Sequence, residues 1–212
     1  MADYTFYTVP MSRGQIARWA LHEAGAQYEH VLVDWANRPP GLAAANPMNK
    51  VPTLVHHTVQ GDPTGDMVIT ECAGICAYLA DVHPEAGLLP QGAEKADYHR
   101  WLFFAAGPLE QAIISRSIGW EVPEGKQAMV GFGSYERTIA ALEGLLTGRD
   151  WVCGARFTMA DVYLGSQVDW ALNFGSIPPL PAFAAYVERI QARAPYKAAK
   201  AIDRDLIRAA KG

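Results

Sequence analysis

Along the first eighty positions, apolar residues alternate between a strand-like and a helix-like pattern. An aromatic and β-branched run at 4–9 predicts a strand that Pro10 ends, and apolar residues at helical spacing then predict a helix that stops at Gly25. The remaining predicted elements are strands at 28–33, 51–56 and 67–69 and a helix from Glu71 to about Val82. The order is β-α-β, an irregular connecting segment, then β-β-α. The first two strands should therefore be parallel and the last two a hairpin.

A different pattern begins after residues 83–90, which contain two prolines and a glycine and predict a boundary. Beyond it the apolar residues follow helical spacing almost throughout. The predicted helices contain the stripes 98–113, 132–146, 162–172 and 183–194, and a last helix runs from about Tyr196 to Ala210. The sequence therefore predicts an α+β domain at 1–83, a linker at 84–91 and an all-α helical bundle at 92–212.

Charge and composition argue against several classes of binding partner. The net charge is −4 with no long basic run, so nucleic acid is not an expected partner. No apolar stretch approaches the ~20 residues of a membrane span, and Met1-Ala2-Asp3-Tyr4 does not begin a secretory signal. The three cysteines, Cys72, Cys76 and Cys153, cannot all form disulfide bonds with one another. We therefore expect free thiols, which are typical of the reducing cytoplasm. The six histidines form no metal-binding pattern, so no metal is expected.

Three polar residues at the end of the first strand are candidates for chemistry. Ser12 begins an S-x-x-Q capping box with Gln15, yet a hydroxyl at a helix N-terminus also suits an anion. Tyr7 is either a packing residue of the strand or a hydroxyl turned toward a ligand. Arg13 is either a solvated first-turn residue or a ligand for an anion.

Two further segments offer a binding edge and a fixed charge. Pro52 begins a strand, and a cis Val51–Pro52 bond would expose the Val51 N–H and C=O to an extended ligand. Lys50 beside it is a surface lysine or the partner of a carboxylate. In Thr70-Glu71-Cys72, the threonine caps a helix and the glutamate complements its dipole, or the glutamate and the adjacent N–H groups grip an amino-acid head. Cys72 in that first turn is also a possible nucleophile.

A T-x-x-D capping box at Thr158 and Asp161 precedes an apolar helix. We expect it to set the start of that helix and to take no part in catalysis.

These segments together resemble the cytosolic glutathione transferase family over the whole chain. The resembling pieces are Pro10-Met11-Ser12-Arg13, Asn46-Pro47 with Lys50-Val51-Pro52-Thr53-Leu54, Thr70-Glu71-Cys72, Leu88-Leu89-Pro90 and Phe157-Thr158-Met159-Ala160-Asp161. The resemblance implies a thioredoxin-like β-α-β-α-β-β-α domain followed by the helical bundle. It also implies a cytoplasmic homodimer that acts in detoxification, with glutathione as co-substrate and a small electrophile as second substrate.

The resemblance also implies roles for individual residues. Pro52 would be cis, Val51 would pair with the cysteine of glutathione, and Glu71 with Cys72 would hold the γ-glutamyl group. Cys72 departs from the family, which usually has serine there. Lys50 would meet a glutathione carboxylate, and Arg13 would complete this binding set.

The catalytic hydroxyl has two candidates. Ser12 is preferred because Pro-x-Ser-Arg is similar to the loop of bacterial and fungal serine-type members, whereas the spacing of Tyr7 is similar to that of tyrosine-type members. The acceptor pocket is expected between the domains and is predicted to contain Met11, Trp101, Phe104, Ser115 and Trp120. Two alternatives remain open: a glutathione-dependent peroxidase or reductase of the same fold, and a non-catalytic binding module.

Overall fold

The computed structural model describes residues 2–59 and 61–210. Two compact units are present: the described residues of Met1–Gly87 and Arg193–Gly212 form one, and Leu88–Ala192 form the other. Each is described separately below. The outer limits of the predicted domains, at residues 1 and 212, fall outside the described residues.

The N-terminal unit contains a four-stranded mixed sheet. Its strands are β1 (Tyr4–Thr8), β2 (Tyr28–Leu32), β3 (Thr53–His57) and β4 (Asp66–Thr70), in the order β2-β1-β3-β4. β1 and β2 are parallel, whereas β3 is antiparallel to both β1 and β4. The predicted parallel pair and the predicted hairpin are therefore confirmed.

The helices that alternate with these strands along the chain are α1 (Gly14–Ala24), α2 (Pro40–Ala45) and α3 (Cys72–Val82). Helix α2 confirms the second helix of the β-α-β-α-β-β-α order that the resemblance implied, whereas the residue pattern alone had predicted an irregular segment there. Pro40 at its first turn explains the difference, because proline breaks a helix interior but suits a helix start. The prediction that Thr70 caps the third helix is also wrong, since Thr70 ends β4 and Glu71 is the residue before α3.

The second unit is entirely helical where the structure describes it in regular elements. Its helices are α4 (Glu94–Phe104), α5 (Glu110–Ser117), α6 (Tyr135–Leu146), α7 (Met159–Asn173) and α8 (Pro181–Ala192). A π-helical turn at Ala105–Leu109, which contains Pro108, joins α4 to α5. The apolar stripe predicted at 98–113 therefore belongs to one nearly continuous helical segment, because a widened turn accommodates the missing N–H of proline.

The predicted capping box at the start of α7 is confirmed. The Asp161 carboxylate is fully buried and accepts hydrogen bonds from the Thr158 N–H (2.8 Å), the Thr158 hydroxyl (3.2 Å), the Val152 N–H (2.7 Å) and the Tyr186 hydroxyl (2.9 Å). Burial raises the pKa of Asp161 to about 6, and these four donors oppose that rise. One side chain thus fixes a helix start, a preceding turn and α8.

The last helix, α9 (Ala194–Ala209), packs with the N-terminal unit. From the sequence, this helix was expected in the helical bundle with the rest of 92–212. The reason for the difference lies on α1, where the buried Arg18 donates to Asp203 of α9 at 2.9 Å. Glu23 of α1 likewise accepts two hydrogen bonds from Arg193 at 2.6 and 2.7 Å. Charged partners of this kind at a separation of 170 residues or more leave no local sequence signal.

Across the described residues, no helix has the length and apolar character needed to cross a bilayer. A search of the same residues finds no group of three or more histidine, cysteine or acidic side chains that could hold a metal ion.

Candidate active site

One end of the sheet brings together the segments that the sequence singled out. Because β1 and β4 both run antiparallel to β3, their carboxyl ends meet the start of β3. Thr53 pairs with Tyr7 on one side and with Thr70 on the other. Val51 and Pro52 therefore enter the sheet between the end of β1 and Glu71. The Cys72 thiol, which donates to the Arg13 carbonyl at 3.4 Å, joins the start of α3 to the loop after β1.

Ser12 lies in that loop with its hydroxyl already engaged. The hydroxyl donates to the Val9 carbonyl at 2.6 Å and accepts the Gly14 N–H at 3.0 Å. The predicted capping box is not formed, because the Gln15 side chain donates to the Pro10 carbonyl at 2.7 Å instead of returning to Ser12. Ser12 thus satisfies a backbone N–H, as expected, but it must leave Val9 before it can donate to a ligand.

Tyr7 occupies the other face of β1 from Phe6 and Thr8, as the alternating burial of the strand shows. Its hydroxyl lies against Gly41 in the first turn of α2, where a Cβ would clash with the phenolic oxygen. Glycine is required at position 41 for this close approach. The Tyr7 hydroxyl has no hydrogen-bond partner among the described residues, so its proton is not committed in the way that of Ser12 is.

The loop before β3 is held by Asn46, which is buried. The Asn46 amide donates to the Lys50 carbonyl at 3.2 Å and to the Thr53 hydroxyl at 3.0 Å, and its oxygen accepts the Met48 N–H at 3.0 Å. The Thr53 hydroxyl in turn donates to the Lys50 carbonyl at 2.9 Å. Asn46 therefore fixes the position of the residues that present the binding edge.

The Val51–Pro52 peptide bond is cis, as the resemblance implies. Within the described residues, neither the Val51 N–H nor its C=O forms a backbone hydrogen bond. Both groups are thus available to an extended ligand. Lys50 beside them is exposed, which suits a lysine that meets a carboxylate of such a ligand.

Glu71 has an unusual backbone conformation, with φ 61° and ψ 121°. Non-glycine residues reach this region at a cost of about 1–3 kcal/mol, and such residues cluster at functional sites. The side chain is exposed and makes no capping bond to α3. The N–H groups of Ala73 and Gly74 follow in the first turn and have no partner among the described backbone groups. A carboxylate and a helix N-terminus therefore stand side by side, ready for an ammonium and a carboxylate respectively.

The two cysteines of this unit are buried. Cys72 is 6% exposed, and its thiol donates to the Arg13 carbonyl. Complete burial raises the pKa of Cys76 well above the ordinary value for a thiol. In the helical unit, burial raises the pKa of Cys153 to about 11.

The residues predicted for the acceptor pocket fall into separate groups. Trp101 and Phe104 pack edge to face with ring centroids 5.1 Å apart. Ser115 and Trp120 line a cavity of about 470 Å³ in the helical unit. Met11 belongs to the N-terminal unit and is 61% exposed.

The cavity that contains Ser115 and Trp120 lies between the end of α5 and the start of α6. Its aromatic wall is formed by Trp120, Phe132 and Tyr135, and the Arg116 guanidinium lies 4.1 Å from the centre of the Tyr135 ring. Ser115 is 5% exposed, and its hydroxyl makes no hydrogen bond with a described residue. A cavity with an aromatic wall, several polar lining side chains and a hydroxyl without a described partner suits a small aromatic molecule that carries a polar group.

Comparison with known families assigns both units. The model of the glutathione S-transferase N-terminal domain matches residues 11–82, and that of the C-terminal domain matches residues 98–189. The chain belongs to the glutathione S-transferase family. The matched N-terminal range contains Ser12, Lys50, Val51, Pro52 and Glu71 and begins after Tyr7.

Individual glutathione transferases are similar over most of their length. Glutathione S-transferase GST-4.5 of Xanthomonas campestris is 29% identical over 203 residues, which are 87% of this chain and 89% of the relative. Glutathione S-transferase GstA of Escherichia coli O157:H7 is 28% identical over 180 residues, 82% of this chain and 85% of the relative. The structure of a sphingomonad glutathione S-transferase complexed with glutathione is 27% identical, with a TM-score of 0.73, covering 94% of this chain and 98% of that one.

Three residues of this glutathione transferase stand in motifs that the sequence indicated, but their part in shaping the site was not predicted. Asn46 and Thr53 hold the Val51–Pro52 loop, and Gln15 holds the loop of Ser12. An asparagine before proline is a known turn signal and indicated a loop, but not what the loop presents. The bonds of Gln15 depend on tertiary structure and had no signal of their own.

Proposed function

We propose that this protein binds glutathione at the end of its sheet, stabilises the thiolate and conjugates it to small electrophilic, hydrophobic substrates. The observation that carries the proposal is the unpaired Val51 backbone beside the cis Pro52, next to the strained Glu71. Such an edge suits the extended backbone of a tripeptide. The exposed Glu71 carboxylate suits the ammonium of its γ-glutamyl end.

The remaining contacts follow from the chemistry of glutathione. The N–H groups at the start of α3 would hold the γ-glutamyl carboxylate, since a helix N-terminus favours negative charge. Lys50 and Arg13 supply cations for the other carboxylate. Cys72 contributes its backbone rather than its thiol, because that thiol already donates to Arg13.

The thiolate is stabilised by the Ser12 hydroxyl and the N-terminus of α1. A hydrogen bond to a charged group contributes about 1.5–3 kcal/mol, and the helix terminus adds about 0.3–1. The bond from Ser12 to the Val9 carbonyl must first be given up, at a cost of about 1 kcal/mol. At about 1.36 kcal/mol per unit, the pKa of the bound thiol should fall by about 1–2 units from the ~8.5 of a free thiol. This fall in pKa is equal to or smaller than the ~2 units expected for a hydroxyl that has no other hydrogen bond to give up.

For the second substrate we propose the cavity of the helical unit that Ser115 and Trp120 line. Its aromatic wall and its unpartnered hydroxyl favour an aromatic electrophile that carries a hydrogen-bond acceptor. Attack of the thiolate at an electrophilic carbon needs no general base and no metal, because the nucleophile is already ionised.

The two rival functions predict different results for Cys72. In a peroxidase or reductase that uses this thiol, Cys72→Ser abolishes activity and a mixed disulfide with glutathione forms at Cys72. In the proposed transferase, Cys72→Ser retains activity, since the hydroxyl can donate to the Arg13 carbonyl as the thiol does.

The test combines a glutathione-affinity column with assays of electrophiles and hydroperoxides in the presence of glutathione. Retention together with conjugation of aromatic electrophiles supports the proposal. Retention with turnover of hydroperoxides alone supports the peroxidase. Flow-through with no turnover supports the non-catalytic module.

We further propose a cytoplasmic homodimer that acts in detoxification. Support for the dimer comes from β4, an edge strand on which Met67 is 51% and Val68 46% exposed. An edge strand with exposed apolar side chains favours association with another chain.

A further inference from the structure

Two hydrogen bonds connect the last helix to the loop that carries Ser12. The Lys200 ammonium of α9 donates to the Gln15 side-chain oxygen at 2.7 Å, although the two residues are 185 positions apart. The Gln15 amide nitrogen then donates to the Pro10 carbonyl at 2.7 Å. We propose that Lys200 and Gln15 are positioning residues, which hold the 9–13 loop so that the Ser12 hydroxyl can reach the thiolate. This inference rests on the proposed function.

The chemistry of the two side chains makes the connection directional. A lysine ammonium can only donate hydrogen bonds, whereas an amide donates at its nitrogen and accepts at its oxygen. With its oxygen turned to Lys200, Gln15 must turn its nitrogen to Pro10, which offers a carbonyl acceptor. Without the cation the amide is free to rotate, and its oxygen would then face the Pro10 carbonyl and repel it.

Lys200 is itself held in place by its surroundings. Its ammonium lies 5.4 Å from the centre of the Tyr196 ring, and that ring packs edge to face on Trp19 at 5.0 Å. Tyr196 is 8% exposed and Trp19 is fully buried. Such a lysine has already lost much of the conformational freedom of a surface lysine. Its hydrogen bond to Gln15 therefore costs little further side-chain entropy.

The loop has two carbonyls that each accept a different proton. Val9 accepts from Ser12 and Pro10 accepts from Gln15. When Ser12 turns to a thiolate, the bond to Val9 is lost and the Gln15–Pro10 bond remains to fix the loop. Loss of Gln15 or Lys200 should therefore weaken the thiolate bond. The binding of glutathione should change little, because Val51 and Glu71 lie on other segments.

Lys200→Met and Gln15→Leu are the test variants, and Lys197→Met is the matched control. Lys197 is an exposed lysine on the same helix whose side chain forms no hydrogen bond, ion pair or ring contact with another described residue. Each protein is titrated with saturating glutathione to obtain the pKa of the bound thiol by thiolate absorbance. The values of kcat and KM for glutathione and the unfolding midpoint in urea are measured in parallel.

We expect Lys200→Met and Gln15→Leu each to raise the bound-thiol pKa by about half a unit to one unit, as for the loss of one hydrogen bond. At a pH below that pKa, kcat should fall about 3- to 10-fold with KM changed less than about twofold. The double variant should be no worse than either single one, because both break one connection. Lys200→Arg, which keeps a donor, should restore most of kcat, and Lys197→Met should match the unsubstituted protein.

Three results would overturn the inference. The first is a bound-thiol pKa in Lys200→Met equal to that in Lys197→Met, and the second is a rise in that pKa in the double variant equal to the sum of the two single rises. The third is a lower urea midpoint in Lys200→Met or Gln15→Leu with an unchanged bound-thiol pKa. In each of these the proposed function survives, provided that the unsubstituted protein still lowers the thiol pKa. If the unsubstituted protein leaves the thiol at its free value, the proposed function fails together with this inference.

Discussion

At the scale of single residues, the site depends on Ser12 and Glu71, and the observed state of each has a free-energy cost. The Ser12 proton is committed to the Val9 carbonyl, and Glu71 occupies a backbone region that favours glycine. The sequence indicated both residues from their local motifs. It did not indicate what they bond to or which conformation they adopt, because both depend on how a loop closes against neighbouring strands.

Glu71→Gly should separate stability from binding. Glycine adopts φ 61° without steric cost, so relief of about 1–3 kcal/mol of strain should exceed the ~0.5–1 kcal/mol of added chain entropy. We expect a higher urea midpoint and a dissociation constant for glutathione raised about 10-fold or more, since a charged hydrogen bond is lost. Equilibrium unfolding and calorimetric titration measure the two quantities.

Glu71→Gln is the matched control for that substitution. It keeps the strained backbone and removes the charge, so it should lose affinity without gaining stability. A Glu71→Gly protein that is less stable and binds glutathione normally would contradict the role assigned to this residue.

At the scale of elements, the sequence predicted type and order well and boundaries less well. The strand predicted at 67–69 is β4 over Asp66–Thr70, and the helix predicted from Glu71 begins at Cys72. Alternation and helical spacing carry these predictions because burial of one face dictates both. Helix α2, which the resemblance implied, has no signal in the apolar pattern itself, since its six residues are too few to show a period.

Asp161→Ala should destabilise the helical unit. It removes the acceptor for the buried N–H groups of Val152 and Thr158 and for the Tyr186 hydroxyl. Each unsatisfied buried donor costs about 1–3 kcal/mol, so we expect a loss of about 3–5 kcal/mol in the free energy of unfolding, measured in urea.

Glu143→Ala, at an exposed acidic position on α6, is the control and should change the same quantity by less than about 0.5 kcal/mol. A similar, small effect of both substitutions would show that the buried carboxylate does not organise α7 and α8.

At the scale of the whole molecule, the sequence predicted an α+β unit and a helical one and assigned α9 to the helical one. In the structure α9 belongs to the same compact unit as the sheet. Its return to the N-terminal unit depends on Arg18 with Asp203 and on Arg193 with Glu23. Pairs so distant in sequence cannot be recognised from periodicity. The same packing brings Lys200 to Gln15, a contact that periodicity could not indicate either.

Val68→Lys should dissociate the proposed dimer. The substitution places a charge on the exposed edge strand β4, where a lysine opposes association. Light scattering after gel filtration should show one chain for this variant and two for the unsubstituted protein. Met129→Lys, at an exposed methionine of the helical unit, should remain a dimer; dissociation by Met129→Lys alone would place the interface elsewhere.

The central claim is that the Ser12 hydroxyl holds the glutathione thiol in its ionised form. The most direct measurement is a titration of the bound thiol by thiolate absorbance in the unsubstituted protein, in Ser12→Ala and in Tyr7→Phe. The account predicts a pKa about 1–2 units below that of free glutathione, a return of most of that shift in Ser12→Ala and no change in Tyr7→Phe. A pKa that stays low in Ser12→Ala and rises in Tyr7→Phe would contradict it.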